Sequence, residues 1–163
     1  MADWGSFEGR VVAAWLDDGR SMALTEPFAY VDRSAARWDA PSGAVVNGAS
    51  IPRAFWTVIG SPFTGRFRNA SVVHDVACLD RTRPWPQVHR MFYEACRCGR
   101  TNVVQATTMY YAVYHFGPRW RVDGRSIRDE TPPPPSAREA MAVVRWFESH
   151  EIDADEIPRL RLH

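Results

Sequence analysis

The residues best suited to chemistry lie between positions 74 and 89: His74, Asp75 directly after it, Cys78 one helical turn later, and His89. Imidazole exchanges protons near neutral pH, and imidazole and thiolate are donors that zinc prefers in proteins. One interpretation is a catalytic centre in which His74 is the general base, Asp75 orients it or holds a cation, and His89 is a second acid or base. The other is a metal centre with His74, Cys78 and His89 as ligands. Asp75 or Cys96 would then be the fourth ligand.

A third interpretation makes the same residues structural. The sequence around His74 is apolar, which predicts a buried position. A buried aspartate beside a histidine needs hydrogen-bond partners whatever its role. On this interpretation His74 is hydrogen-bonded inside the core, and Asp75 anchors the loop at residues 47–50 and so joins the helical half of the chain to the strand half.

The two histidines are predicted to lie on neighbouring helices. Apolar spacing predicts helices over residues 68–79 and 86–98, with Gly99 ending the second in a left-handed conformation. At about 100° per residue, His74 shares a stripe with small residues, which lets another helix approach closely. We therefore expect an antiparallel pair of helices in which His89 meets His74.

The strands are predicted to precede the helices. β-prone runs separated by turn formers indicate a hairpin and two further short strands, at residues 11–16, 21–31, 36–39 and 44–47. From residue 50 the pattern becomes helical, with a short helix between Pro52 and Gly60 and a last one over residues 102–116. The sequence therefore predicts an α+β fold, in which a small N-terminal antiparallel β-sheet or hairpin is followed by a bundle of three to four helices.

The C-terminal part is predicted to be an addition to a single α+β domain over residues 1–131. Residues 119–131 are polar and turn-rich, and the four prolines at 132–135 form a stiff spacer. Residues 136–163 then read as a docking helix, opened by Ser136 as N-cap, and a tail that orders only against a partner.

Composition limits the function classes. The 163 residues carry a net charge of +1, so no global field draws the chain to nucleic acid or anionic lipid, and nucleic acid is not an expected partner. No apolar run is long enough for a membrane span, and the N-terminus lacks the pattern of a signal peptide. Three clustered cysteines argue for reduced thiols rather than a disulfide framework.

Residues 41–120 resemble domain-of-unknown-function family 1353, an uncharacterised and largely phage-associated family. The resemblance is carried by PSGAVVNGASIPRAFW, ASVVHD, VHRMFYEA and MYYAVYHFG. It implies a phage or prophage origin and a small α+β fold, but no reaction. The family pattern also makes Asn47, Ser50 and Arg53 the nearest candidates to contact Asp75. Arg53 would either pair with this carboxylate in a bidentate way or bind an anionic substrate.

The sequence departs from this family pattern at three places near the candidate site. The pattern usually has Thr-Asp before G-A-S-I-P, where this chain has Val46 and Asn47. It usually reads H-D-x-L-Y, where this chain ends the motif in Cys78, and it usually has an aspartate at the place of His89. These changes predict that any family activity is altered or lost here.

A weaker similarity links the His74–Asp75 pair to phospholipase A2, in which a helical histidine activates water and the adjacent aspartate holds calcium. The chain lacks the glycine-rich calcium loop of those enzymes. No cofactor is therefore expected, and the alternatives are zinc at the His-Cys-His group or calcium at Asp75.

Two functions follow as hypotheses. The first is a virion-associated structural or accessory protein of a phage or prophage, in the tail or baseplate, made in the host cytoplasm. Its partners would be other virion proteins or copies of itself, since the chain is rich in tryptophan and arginine, which suit interfaces. The alternative is a small hydrolase that acts on peptidoglycan or lipid through the His-Asp centre.

Overall fold

The strands predicted in the first part of the chain are present there and form two sheets. The computed structural model describes residues 3–48 and 50–162. In chain order these strands are β1 (Ser6–Gly9), β2 (Ala13–Trp15), β3 (Met22–Leu24), β4 (Phe28–Val31), β5 (Arg37–Ala40) and β6 (Val45–Val46). β4 lies between β1 and β5, β3 lies between β2 and β6, and all pairs are antiparallel.

The predicted hairpin forms between β2 and β3. Asp18 closes its turn by accepting hydrogen bonds from two backbone N–H groups. The run 21–31 is not one strand, because it breaks at Pro27, which has no N–H for a sheet ladder. Its second half, β4, therefore joins the other sheet, where it pairs with β1, a strand that the sequence did not predict.

The helices complete an α+β fold and confirm the predicted class. They are α1 (Arg53–Ile59), α2 (Arg68–Asp80), α3 (Trp85–Cys98), α4 (Val103–Phe116) and α5 (Ala137–Ser149). α2 packs against α3 on one side and against β4, β5 and β6 on the other, and α3 packs against α4. Within the described residues, no helix combines the length and the apolar character that crossing a bilayer requires.

The predicted left-handed end of α3 at Gly99 is wrong. Gly99 has a φ of −76°, and the left-handed residue that ends α3 is Arg100, with a φ of +65°. Its conformation lets the Thr101 N–H donate to the Cys96 carbonyl at 3.0 Å. The polar, turn-rich segment 119–131 forms a hairpin that the sequence did not predict, made of β7 (Trp120–Asp123) and β8 (Ser126–Asp129).

The C-terminal helix docks on the body of the same chain. Ser136 and Glu139 form a reciprocal capping box at its start. Its buried stripe, which faces α1 and α4, consists of Ala140, Val143, Val144 and Phe147.

The tail at residues 151–162 is ordered within its own chain, contrary to the prediction that it orders only against a partner. Ile157 is fully buried, and its carbonyl accepts a hydrogen bond from His115 Nε2 at 2.8 Å. The Leu162 N–H donates to the Tyr111 hydroxyl at 2.9 Å. Residues 151–162 therefore order against α4 of their own chain.

Candidate functional site

The two imidazoles meet between α2 and α3. Four residues join these helices, which lie side by side. His74 Nε2 lies 2.9 Å from His89 Nδ1, and both side chains are fully buried. The predicted meeting of the two histidines is therefore confirmed.

The tautomer of His89 follows from its other nitrogen. Nε2 lies 2.8 Å from the carbonyl oxygen of Pro118, which can only accept, so Nε2 carries the proton. The Nδ1 of a neutral His89 then presents a lone pair to His74. Pro118 was not predicted from the sequence, because it contributes a backbone carbonyl, which every residue type has.

Asp75 holds the loop that joins β6 to α1. One carboxylate oxygen accepts from the N–H groups of Asn47 at 2.9 Å and Gly48 at 2.7 Å. The other accepts from the hydroxyl of Ser50 and, at 3.4 Å, from its N–H. The predicted contacts with Asn47 and Ser50 are thus confirmed, although Asn47 contributes its backbone.

The predicted pairing of Arg53 with Asp75 is wrong. The Arg53 guanidinium lies over the Trp56 ring, 5.2 Å from its centroid, one turn further along α1. In residues 3–48 and 50–162, no arginine is within ion-pair distance of Asp75. The buried carboxylate is therefore held by hydrogen bonds alone, without a cation.

The hydrogen-bonded chain through the site lacks one proton. Three successive contacts link Asp75 to Ser50, Ser50 to His74 at 3.1 Å, and His74 to His89. Each contact needs a proton, but only two are available, the Ser50 hydroxyl proton and the single N–H of a neutral His74. The N–H of His89 is already donated to Pro118. One contact between lone pairs therefore remains, unless a cation or an additional proton enters the site.

An additional proton on either imidazole is disfavoured by burial. Burial lowers the pKa of His74 well below its ordinary value, and the neighbouring His89 lowers it further. Burial likewise lowers the pKa of His89 to about 3, against the raising effect of the Pro118 carbonyl. Both rings are thus neutral at physiological pH, which is the form that binds metals.

Cys78 completes a group that could hold a metal ion. Its sulfur lies 3.6 Å from His74 Nε2, and the three donor atoms of His74, Cys78 and His89 all lie within 4.8 Å of one another. Burial, and then the charge of Asp75, raise the pKa of the Cys78 thiol well above its ordinary value. A metal cation would reverse this effect, because a coordinating thiol loses its proton.

The described residues do not supply the proposed fourth ligand. Both oxygens of Asp75 are turned to the loop, and Cys96, although fully buried, lies outside the His-Cys-His group. The Phe92 ring covers His74, with the ring centroids 4.4 Å apart. The donor set of the described chain is therefore two nitrogens and one sulfur.

The site lies inside a segment with recognisable relatives. Residues 22–113 match the family described as "Protein of unknown function (DUF1353)". The chain belongs to the DUF1353 family. This match includes His74, Asp75, Cys78 and His89, which confirms the resemblance seen in the sequence.

Two curated relatives come from Sinorhizobium fredii (strain NBRC 101917 / NGR234). "Uncharacterized protein y4jT" is 34% identical over 128 residues, which cover 77% of this chain and 38% of that protein. "Uncharacterized protein y4iH" is 35% identical over 103 residues, which cover 63% of this chain and 43% of that protein. The chain thus spans about two fifths of the length of these relatives, and no solved structure matches it.

Proposed function

We propose that this DUF1353 protein is a structural or accessory component of a phage or prophage particle, in the tail or baseplate, and acts through contacts with other proteins. The observation that supports a non-enzymatic role is the internal use of the His-Asp pair. Asp75 accepts hydrogen bonds from the loop at residues 47–50, and His74 is fully buried between Ser50 and His89. A general base must reach water and substrate, and His74 reaches neither in this conformation. The particle itself is implied by the family resemblance.

A small hydrolase acting on peptidoglycan or lipid is the second candidate. It is supported by the chain of contacts from Asp75 through Ser50 to His74, which orients the imidazole as a base is oriented in hydrolases. Such an enzyme would have to open the interface of α2 and α3 before each turnover.

The cofactor that fits this centre is zinc. Its donors are nitrogen and sulfur, whereas calcium takes six to eight oxygen ligands and the Asp75 oxygens are already engaged. The charges also balance, because a Cys78 thiolate and the Asp75 carboxylate together neutralise Zn²⁺ in the buried core. Zn–N bonds of about 2.0–2.1 Å at a tetrahedral angle separate two nitrogens by roughly 3.4 Å. The rings of His74 and His89 would therefore move apart slightly on binding.

Zinc would also remove the contact between lone pairs of His74 and His89 that the missing proton leaves. The Ser50 hydroxyl donates to Asp75, His74 donates its Nδ1–H to Ser50, and His89 donates its Nε2–H to Pro118. Both remaining imidazole lone pairs would then point to the cation, and each of these three hydrogen bonds has its own proton. Each ligating imidazole thereby donates its second nitrogen to an oxygen, the arrangement that orients histidine ligands in metal proteins. The ion would cross-link α2 to α3 and stiffen the body that presents the binding surfaces.

Metal analysis tests the zinc site. Protein purified from zinc-supplemented cells should carry about one zinc per chain, and Cys78→Ser should remove most of it. Cys98→Ser is the matched control, because Cys98 is half-buried and its thiol contacts the Gly5 carbonyl away from the site. A wild-type protein without zinc, or equal zinc in both variants, would contradict the site. Replacement by Co²⁺ gives a second readout, since a thiolate-to-cobalt absorption band should be present in wild type and absent in Cys78→Ser.

Particle composition and a hydrolysis assay decide between the two functions. The chain should sediment with intact particles released by a host that carries this gene. Particles that assemble normally without it would contradict the structural proposal. Release of products from peptidoglycan or phospholipid by the wild-type protein, lost in His74→Gln, would establish the hydrolase instead.

A further inference from the structure

Four arginines lie close together on the protein surface, near the start of α2 and the end of α3. Arg66 and Arg68 lie at the start of α2, and Arg97 and Arg100 lie at the end of α3. The two segments touch, since a side chain at Gly99 would meet the Arg66 carbonyl at 2.6 Å. Three adjoining depressions of about 360, 540 and 250 Å³ share Arg66, Arg100 or Cys98. We call this surface the arginine face.

The charge of the arginine face is not neutralised. Within the part of the chain that the structure describes, none of its four arginines forms an ion pair, whereas Arg37 and Arg90 elsewhere do. Asp3 is the acidic residue among those that line the three depressions. Its carboxylate accepts a hydrogen bond from the Gly5 N–H at 2.9 Å.

Two helix N-termini add to the positive potential. α2 begins at Arg68 without a side-chain cap, whereas α4 begins after Asn102, whose side chain accepts from the Gln105 N–H at 2.8 Å. Neither helix has an acidic residue in its first turn, and both ends line the depressions. Helix N-termini favour anions, and phosphate above all. The C-terminus of α3, whose dipole is negative, lies between them, but its last carbonyls accept hydrogen bonds from the N–H groups of Gly99 and Thr101.

Polar groups at the largest depression lack partners. The Thr101 side chain is 1% exposed, and its hydroxyl is buried without a hydrogen bond. The Nε of Arg97 is also buried and unpaired, while its Nη1 donates to the Thr101 carbonyl at 3.0 Å. Both residues line the 540 Å³ depression. Unpaired buried donors cost stability in the free protein, and an oxyanion would satisfy them.

We propose that the arginine face binds the phosphodiester backbone of nucleic acid without regard to sequence. Several adjoining depressions suit a chain of phosphates better than one small anion. Reading of bases is not expected, because Arg33 and Arg97 cover the Trp4 ring, with their guanidinium carbons 4.7 and 5.7 Å from its centroid. The net charge of +1 is no obstacle, since it is the sum of a positive face and acidic regions elsewhere.

Binding to a fluorescent DNA strand of about 20 nucleotides, read by anisotropy, tests this inference. We expect Arg66→Glu/Arg100→Glu to weaken binding at least about tenfold and to reduce the slope of log affinity against log salt by about 1.4, since each phosphate contact to a single strand contributes roughly 0.7. The matched control is Arg125→Glu/Arg128→Glu on the exposed β7–β8 hairpin, which makes the same charge change and should bind within about twofold of wild type. The four substituted residues of the two variants are exposed, so both variants should fold.

Other occupants of the face would give different results. Equal weakening by the two double variants, or no binding at low salt, would overturn the proposal. Competition by polyglutamate as effective as that by DNA of equal charge would indicate an acidic protein partner instead. Complete competition by inorganic phosphate at constant ionic strength would indicate a site for a single phosphate group.

Discussion

Truncation of Asp75 tests the link between the helical and the strand parts of the fold. Asp75→Ala removes the acceptor of the hydrogen bonds from Asn47, Gly48 and Ser50. The Ser50 hydroxyl can turn to His74 Nδ1, which lies 3.1 Å away. The exposed backbone at Asn47 can bond to water. Among the described residues, the N–H groups of the buried residues Gly48 and Ser50 lose their acceptor.

The expected cost follows from these two groups. A buried donor left without a partner costs about 1–3 kcal/mol, so the free energy of unfolding should fall by about 2–6 kcal/mol. The whole stability of a domain of this size is about 5–15 kcal/mol. Asp75→Ala should therefore remove a large part of it.

Urea unfolding followed by tryptophan fluorescence measures this loss. Asp80→Ala is the matched control, because Asp80 is an exposed residue at the end of the same helix. It should change the free energy of unfolding by no more than about 0.5 kcal/mol. If Asp75→Ala lost less than about 1 kcal/mol, the carboxylate would not hold the loop, and the structural account of the pair would be refuted.

Three further predictions concern the same region. Asp75→Asn should weaken zinc binding about 10- to 100-fold in a chelator competition, because its amide donates to Ser50 and so moves a proton towards the His74 nitrogen that would bind the ion. It should also cost less stability than Asp75→Ala. In metal-free protein the free energy of unfolding should fall as the pH drops from 6.5 towards 3, because the pKa values of His74 and His89 are depressed only in the folded state. The slope, from urea midpoints, should reach about 2.7 kcal/mol per pH unit, about 1.4 for each ring. A flat profile would contradict the buried neutral ring. Gly48→Ala should destabilise the protein more than Gly43→Ala in the same unfolding assay, since both glycines have positive φ but only a side chain at the first meets an atom within 3.0 Å.

The helices were predictable because their signal is local. Periodic apolar residues and Pro or Gly at the ends define α2, α3 and α4 to within one or two residues. The strands β1, β7 and β8 were not predictable, because they are only four residues long and largely exposed. They form by pairing with another segment, which a local pattern does not encode.

The candidate site was predictable where it depends on helix geometry. His74, Cys78 and His89 follow from spacing on two adjacent helices. The error at Arg53 has a physical cause, since the guanidinium lies over the ring of Trp56 and Asp75 is served by backbone donors instead. The tail at residues 151–162 was misjudged for a similar reason, because its partners on α4 are more than forty residues away.

The departures from the family pattern acquire a common explanation in the structure. Cys78 and His89 stand where the family pattern usually has tyrosine and aspartate, and their donor atoms meet at His74 Nε2. Tyrosine and aspartate offer oxygen, and the aspartate could accept a proton from His74, whereas thiol and imidazole offer a soft donor set with one proton too few. The third departure, Asn47, contacts Asp75 through its backbone, which many residues could supply. The changes at Cys78 and His89 thus place a set of nitrogen and sulfur donors around His74 Nε2, which is the reason that we propose zinc for this chain.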